Sequence, residues 1–209
     1  MISIHRVFYE GIYPMKNIIL IDYENLLVKN LDELYDLDSE ICVFIGPMQK
    51  KLSADLVQSA QKFGSRLKWI PISRQGNNAL DFHIAYYLGQ VSQNEPKPFF
   101  HIISHDTGFD ALIDFMRSQN LFIDRVESIE DIPLIKKMKE IKKDPVAFIK
   151  GRILNVSKPK KLSTLQTAIK KWLEEDDEGV VTEIIESLKK KVFLEIDENG
   201  KVKYLENAE

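Results

Sequence analysis

The chain of 209 residues is 44% hydrophobic and has a formal net charge of −3, which excludes a wholly disordered chain. Its single cysteine, Cys42, excludes an internal disulfide and a zinc site built from several cysteines. No apolar run approaches the roughly 20 residues of a membrane span and no export signal is visible, so we expect a cytoplasmic protein without a membrane partner.

Short runs rich in Ile, Val and Phe alternate with helical patterns over the first 130 or so residues. The runs 17–22, 41–46, 67–73, 99–104 and 121–126 predict buried strands, and segments 48–63, 79–90 and 109–119 predict helices. This alternation predicts a parallel sheet with helices on both faces, whose ligands bind at the C-terminal ends of the strands. Residues 1–14 are either an extra strand or an extension in front of the domain.

A basic segment follows the last of these strands. Residues 135–173 carry 12 Lys or Arg and 2 Asp or Glu, and the segments on both sides are acidic. Such a concentration of charge predicts contact with a polyanion, although a solvated lysine-rich helix and linker would have the same composition. The candidate nucleic-acid-binding residues are Arg74, Lys136, Lys137, Lys139, Lys142 and Lys143.

The end of the chain has the pattern of a small separate module. Helical patterns cover about 164–173 and 180–191, and Asn199-Gly200 between two apolar runs predicts a hairpin. Two helices and a hairpin suggest a winged-helix-like module, and a dimerisation or packing appendage is the alternative. We therefore predict an α/β domain over residues 1–150, a basic linker over 151–161 and a winged-helix-like module over 162–209.

Acidic side chains follow the predicted strands at the edge where ligands bind. Asp22 ends the first strand, Asp106 follows the fourth, and Asp81 lies early in the helix after the third. Clustered carboxylates repel one another unless a cation lies between them, and hard divalent cations take oxygen ligands. The pattern predicts a site for Mg²⁺ or Mn²⁺ that hydrolyses phosphodiesters with metal-activated water.

Each of these acids also has a purely structural interpretation. Asp81 could stabilise the start of its helix electrostatically, and Asp106 could cap the next one. Asp110 stands three residues after Thr107, a spacing that resembles a capping box.

Polar neighbours of the acids are further candidates. Asn25 could bond to its own turn or orient Asp22, and Ser104 and Thr107 could hold a water or a carboxylate. Glu24 is expected to face solvent.

Three motifs together resemble the PIN-like domain superfamily, closest to the NYN branch of metal-dependent ribonucleases. They are Ile-Asp22-Tyr-Glu-Asn25-Leu, Asn-Ala-Leu-Asp81-Phe-His-Ile-Ala and Ser104-His-Asp106-Thr-Gly-Phe-Asp110-Ala-Leu-Ile. The resemblance covers about residues 16–130 and implies a three-layer α/β/α sandwich with a central parallel sheet. It implies that Asp22, Asp81 and Asp106 bind the metal, that Asn25 supports Asp22, and that RNA is cut endonucleolytically.

The sequence departs from the NYN pattern at Gly108, where that branch often has a second acid. Asp110 could replace it because residues four apart share a helix face, so Asp110 joins the candidate metal ligands. The departure leaves open a catalytically weakened protein that binds nucleic acid or regulates. A phosphatase with Asp22 as nucleophile ranks last. The expected partner is RNA, with DNA not excluded and a homodimer left open.

Overall fold

The computed structural model describes residues 16–94, 97–173 and 175–205. The chain forms two compact units whose described parts are residues 16–136 and 137–205. The division lies 14 residues before the boundary predicted at residue 150, and the domain limits stay a prediction. The predicted extension over residues 1–14 lies outside the described residues.

The first unit is a five-stranded parallel sheet with helices on its faces. Its main elements are β1 (Asn17–Asp22), β2 (Ser39–Ile45), α1 (Ala54–Gln61), β3 (Leu67–Pro71), α2 (Ala79–Val91), β4 (Phe99–Ile103), α3 (Phe109–Ser118) and β5 (Phe122–Val126). The strand order is β3-β2-β1-β4-β5, with every neighbouring pair parallel. The predicted α/β/α sandwich is confirmed.

The strands are apolar because both faces of the sheet are covered. All six residues of β1 are buried. Leu20 and Phe44 pack on one face in a core that includes Ile84 of α2 and Ile113 of α3. The alternate residue Ile19 points to the other face and is also fully buried. Each such side chain contributes roughly 1.5–3 kcal/mol by leaving water.

Helix α1 is shorter than the predicted helix over residues 48–63. It begins at Ala54, because Ser53 is in an extended conformation and its hydroxyl accepts a hydrogen bond from the N–H of Leu56. A serine in this position fixes the start of the helix, because its hydroxyl bonds to an otherwise unpaired backbone N–H. Residues 48–52 are therefore a loop after β2, at the edge where ligands are expected.

The described part of the second unit contains most of one helix, three complete helices and a hairpin. The division between the units falls within α4 (Pro133–Lys143), and the unit continues with α5 (Pro145–Asn155), α6 (Leu162–Leu173), α7 (Glu178–Lys190), β6 (Leu194–Ile196) and β7 (Val202–Tyr204). Gly200 has a φ of +72°, which suits the predicted Asn199-Gly200 turn. Lys161 forms a single antiparallel bridge with Lys201 beside the hairpin. Helices followed by a hairpin agree with the predicted order of elements, and the winged-helix-like module stays a prediction.

The predicted linker over residues 151–161 is helical in its first half. Helix α5 starts from a side-chain cap and extends to Asn155. The carboxylate of Asp144 accepts a hydrogen bond of 2.8 Å from the N–H of Ala147, and Pro145 occupies the first turn. Ile149 and Ile153 of α5 are fully buried, so this helix belongs to the core of the second unit.

In the part of the chain that the structure describes, no helix is both long and apolar enough to cross a bilayer.

Candidate active site

Asp22 is the buried centre of a polar network between β1 and β4. Its side chain is completely buried, and both oxygens accept hydrogen bonds. Oδ1 accepts from the backbone N–H groups of Glu24 and Asn25, each at 3.2 Å. Oδ2 accepts from the Asn25 amide and the Ser104 hydroxyl, each at 2.7 Å. Four donors around one carboxylate fix its orientation.

The network continues from Ser104 to Asp106. The Ser104 hydroxyl accepts a hydrogen bond of 3.0 Å from the N–H of Asp106 while it donates to Asp22. One oxygen of Asp106 accepts from the N–H of Gly108 at 2.7 Å, just before α3. Ser104 thus couples the turns after β1 and β4. These two strands lie side by side where the strand order reverses, the usual ligand position in such sheets.

Asp81 reaches the same region from the first turn of α2. Its carboxyl is half-buried, and its pKa is raised first by burial and then by the negative charges of Asp106, Asp22 and Glu24. The carboxylates of β1, α2 and the loop after β4 are therefore near enough for their charges to affect Asp81. Three predicted acids lie at the same edge of the sheet, with Glu24 beside them.

Glu24 packs against the end of the neighbouring strand. A side chain at Gly46, the first residue after β2, would collide with the carboxylate of Glu24. Gly46 is buried, and its lack of a Cβ leaves the space that Glu24 occupies. Although Glu24 is exposed to solvent as expected, it lies within the acid cluster rather than away from it.

Asp110 forms an ion pair with Arg125, a residue that the sequence did not mark as a candidate. Its two oxygens accept hydrogen bonds from Nε of Arg125 at 2.8 Å and from a terminal guanidinium nitrogen at 3.4 Å. The guanidinium also donates to the carbonyl of Ser104 at 3.1 Å. The bond to Arg125 lowers the pKa of Asp110 and raises the pKa of Arg125. Asp110 is therefore partnered by an arginine in this structure.

The capping box proposed for Thr107 and Asp110 is not formed. Helix α3 begins at Phe109, and the residue before it, Gly108, provides no side-chain cap. The exposed Thr107 contributes its carbonyl, which accepts from the N–H of Asp110 at 3.0 Å. The carboxylate of Asp110 turns to Arg125 because an ion pair with two hydrogen bonds is stronger than a bond to a backbone amide.

The candidate nucleic-acid-binding side chains occupy two places. Arg74 is exposed in the loop between β3 and α2. Lys136 forms an ion pair of 2.9 Å with Asp131, so part of its charge is already balanced. The other candidates lie on the exposed side of α4, after the division between the two units: Lys137, Lys139, Lys142 and Lys143.

The donor chemistry of the acid cluster fits a hard divalent cation. Its ligating atoms are carboxylate oxygens, which Mg²⁺ and Mn²⁺ prefer, and the repulsion that raises the pKa of Asp81 would be relieved by positive charge. With the side chains oriented as they are, no three His, Cys, Asp or Glu residues within 16–94, 97–173 and 175–205 converge closely enough to hold one ion. Of the four carboxylates, that of Asp22 is the one held by four hydrogen bonds.

A family model described as PIN domain matches residues 16–126, which is the sheet and its helices through β5. The chain belongs to the PIN domain family. No curated protein and no solved structure matches it significantly. PIN domains are generally nucleases and typically use divalent metals. The predicted membership of the PIN-like superfamily is confirmed, and the closer resemblance to the NYN branch stays a prediction.

Two residues that contact the candidate site, Glu24 and Arg125, were not among the residues predicted from the sequence. Glu24 comes two residues after the end of β1, and the signal that could have found it is the glycine that ends the adjacent predicted strand. Arg125 is an arginine near the end of β5, next to β4 in the sheet. Its position close to the ligand-binding edge brings Arg125 to Asp110, with which it forms an ion pair.

Proposed function

We propose that this PIN domain protein is a metal-dependent endoribonuclease. The observation that carries the proposal is the position of Asp22, Asp81 and Asp106 at one edge of the sheet of a PIN domain, where their negative charges and burial raise the pKa of Asp81. An acid cluster of this kind in a PIN domain fits phosphodiester hydrolysis. The choice of RNA rests on the resemblance to the NYN branch.

The residues of the site divide into those that hold a cation and those that orient them. Asp81, Asp106 and Asp22 would hold Mg²⁺ or Mn²⁺, which when bound supplies an activated water and neutralises charge on the phosphate. Asn25 and Ser104 fix the carboxylate of Asp22 through the bonds described above. Hydrogen-bonded carboxylates of this type bind metals in a set direction.

Glu24 rather than Asp110 is the fourth carboxylate in this proposal. Asp110 is engaged by Arg125, and freeing it would leave a guanidinium with 15% side-chain exposure without its carboxylate partner. Glu24 acts electrostatically on Asp81 and has space made for it by Gly46. It therefore compensates for the absence of an acid at Gly108.

Exchanging these two acids for amides should separate their roles. Glu24→Gln should weaken Mn²⁺ binding roughly tenfold, because it removes one negative charge from the cluster. Gly46→Ala keeps every acid but occupies the space of the Glu24 carboxylate, so it should weaken Mn²⁺ binding in the same direction. Asp110→Asn is the matched control and should leave Mn²⁺ affinity within about twofold. Calorimetric or paramagnetic titration measures the Mn²⁺ affinity of all three variants. A larger loss of affinity in Asp110→Asn than in Glu24→Gln would assign the fourth ligand to Asp110.

Cleavage of RNA is the direct test of the proposed function. The purified protein should cut a circular single-stranded RNA with Mg²⁺ or Mn²⁺, lose this activity in EDTA and regain it when metal is restored. Asp106→Asn should slow cleavage by at least roughly a hundredfold, which corresponds to about 2.7 kcal/mol of lost transition-state stabilisation. Asp114→Asn, an exposed acid on α3, is the control and should cut normally. Cutting in EDTA would contradict the mechanism.

The catalytically weakened protein is the second candidate, and Gly108 is the observation that favours it. It predicts RNA binding with no cleavage by the unmodified protein under any of these metal conditions. A phosphatase with Asp22 as nucleophile is disfavoured, because the residue two positions later is Glu24 rather than a second Asp and no lysine is placed to balance a phosphoaspartate. Cytoplasmic localisation and a homodimer stay predictions.

A further inference from the structure

Three exposed lysines lie on one side of the small hairpin of the second unit. Lys161 faces Lys201 across the antiparallel bridge, and the N–H of Val202 donates to the carbonyl of Lys160. Lys203 lies two residues beyond Lys201 and so points to the same side of the strand. We name these side chains the lysine strip: Lys161, Lys201 and Lys203, all of them exposed.

The arrangement of the lysine strip is unfavourable for the protein alone. Like charges directly opposite each other on neighbouring strands destabilise a sheet, as for Lys161 and Lys201. Glu195 lies opposite Lys203 in the register and balances part of that charge. Among the residues that the structure describes, no acidic side chain forms an ion pair with the lysine strip, whereas Lys170 and Lys189 each have one. The strip is thus a surface of excess positive charge.

Helix α7 carries negative charge on its exposed side. It is the helix that a winged-helix-like module would present to nucleic acid. In helix-turn-helix proteins the recognition helix lies in the groove of the duplex. The exposed side of α7 carries Thr182, Glu183 and Glu186, and carboxylates there would repel phosphates. A polyanion is therefore attracted to the lysine strip and kept away from the middle of α7.

We propose that the lysine strip binds the phosphate backbone of single-stranded RNA. The kind of nucleic acid rests on the proposed function of the PIN domain, while the position of the surface rests on the lysines themselves. Flexible lysine side chains attract phosphates as point charges, so the strip holds RNA without reading its sequence. This surface is distinct from the lysines of α4 considered in the sequence analysis.

The test compares two double substitutions that remove equal charge. Binding of a 20-nucleotide RNA of mixed sequence is measured in EDTA by fluorescence anisotropy, as a function of salt concentration. Lys161→Gln with Lys201→Gln should reduce the slope of log K against log salt by about 1.4, because each phosphate contact on a single strand contributes about 0.7. At 0.1 M salt the affinity should fall by roughly tenfold or more. Lys190→Gln with Lys191→Gln, which changes exposed lysines at the end of α7, should change neither quantity.

Each outcome bears on the lysine strip separately from catalysis. Equal slopes for the two double variants would overturn the proposal, because the effect would then follow total charge rather than position. An unchanged slope in the strip variant would overturn it as well. Circular dichroism checks folding, and the strip variant should be no less stable since it removes a like-charge pair. Salt-dependent binding through the strip by a protein that does not cut RNA would reject the nuclease and leave the strip in place.

Discussion

Asp22→Asn should abolish RNA cleavage and at the same time lower the free energy of unfolding by about 2 kcal/mol. Each oxygen of the Asp22 carboxylate accepts two hydrogen bonds, so an amide nitrogen in either position faces two donors. The backbone N–H groups of Glu24 and Asn25 cannot turn away. Loss of a fully bonded buried carboxylate therefore costs stability as well as activity.

Asp81→Asn should have the opposite effect on stability with a similar effect on cleavage. Burial and three neighbouring negative charges disfavour the charged form of Asp81, as its raised pKa indicates. Removing that charge should raise the melting temperature of the metal-free protein. Both variants should cut RNA at least roughly a hundredfold more slowly, because each loses one carboxylate of the cluster.

Thermal and urea unfolding in EDTA, beside the cleavage assay, distinguish these two roles. Asp114→Asn serves as the control, since this side chain is 81% exposed on α3 and should change neither stability nor rate. An Asp22→Asn variant more stable than the unmodified protein would show that the four hydrogen bonds do not outweigh repulsion within the cluster. A destabilised Asp81→Asn variant would remove the electrostatic basis of the site.

Acid should destabilise the PIN domain through His101, by about 2 kcal/mol at pH 5 relative to pH 8. Burial lowers the pKa of His101 to about 4, from an ordinary value near 6.5. A histidine whose folded pKa is depressed costs no stability above its unfolded pKa. The cost grows as the pH falls below about 6.5 and is complete below the folded pKa.

The surroundings of His101 explain why it stays neutral. Its Nε2–H donates to the side-chain oxygen of Asn17 at 3.1 Å, and its ring stacks on Phe99 with 4.6 Å between ring centres. Nδ1 is buried and has no hydrogen-bond partner within the described ranges, so a proton added there would be unpaired. The Asn17 amide in turn donates to the carbonyl of Asp38.

Urea unfolding between pH 8 and pH 5 measures this effect as a change of slope with pH. His101→Phe should flatten the slope, because a phenyl ring cannot take up a proton, even if its stability at pH 8 is lower. His83→Gln is the control, since His83 is exposed on α2, and it should keep the slope of the unmodified protein. A slope unchanged in His101→Phe would place the acid sensitivity in another group.

The sequence was most informative where one physical signal decides the structure. Strand β1 was predicted with its correct limits because a fully buried apolar run ends at a buried acid. The start of α1 was placed too early because the loop before it contains residues that also suit a helix, and only the bond from Leu56 to Ser53 fixes the boundary. Propensity cannot decide between these two possibilities.

The site was predictable as a set of strand ends, but not in its side-chain directions. Topology brings Asp22 and Asp106 to neighbouring strands, and this follows from the alternation of strands and helices. The orientation of Glu24 depends on space beside Gly46, and the partner of Asp110 depends on Arg125 across two elements. Such contacts between distant positions leave no periodic signal in the sequence.

Strand β3 lies at one edge of the sheet, and its composition limits how two copies of the protein can associate. An open edge strand has unpaired backbone groups that can pair with another chain. Here β3 is five residues long, ends in Pro71, which lacks a backbone N–H, and contains a charged Lys68. These features oppose the addition of a foreign strand. The β3 edge is therefore a poor template for pairing with a strand from a second copy.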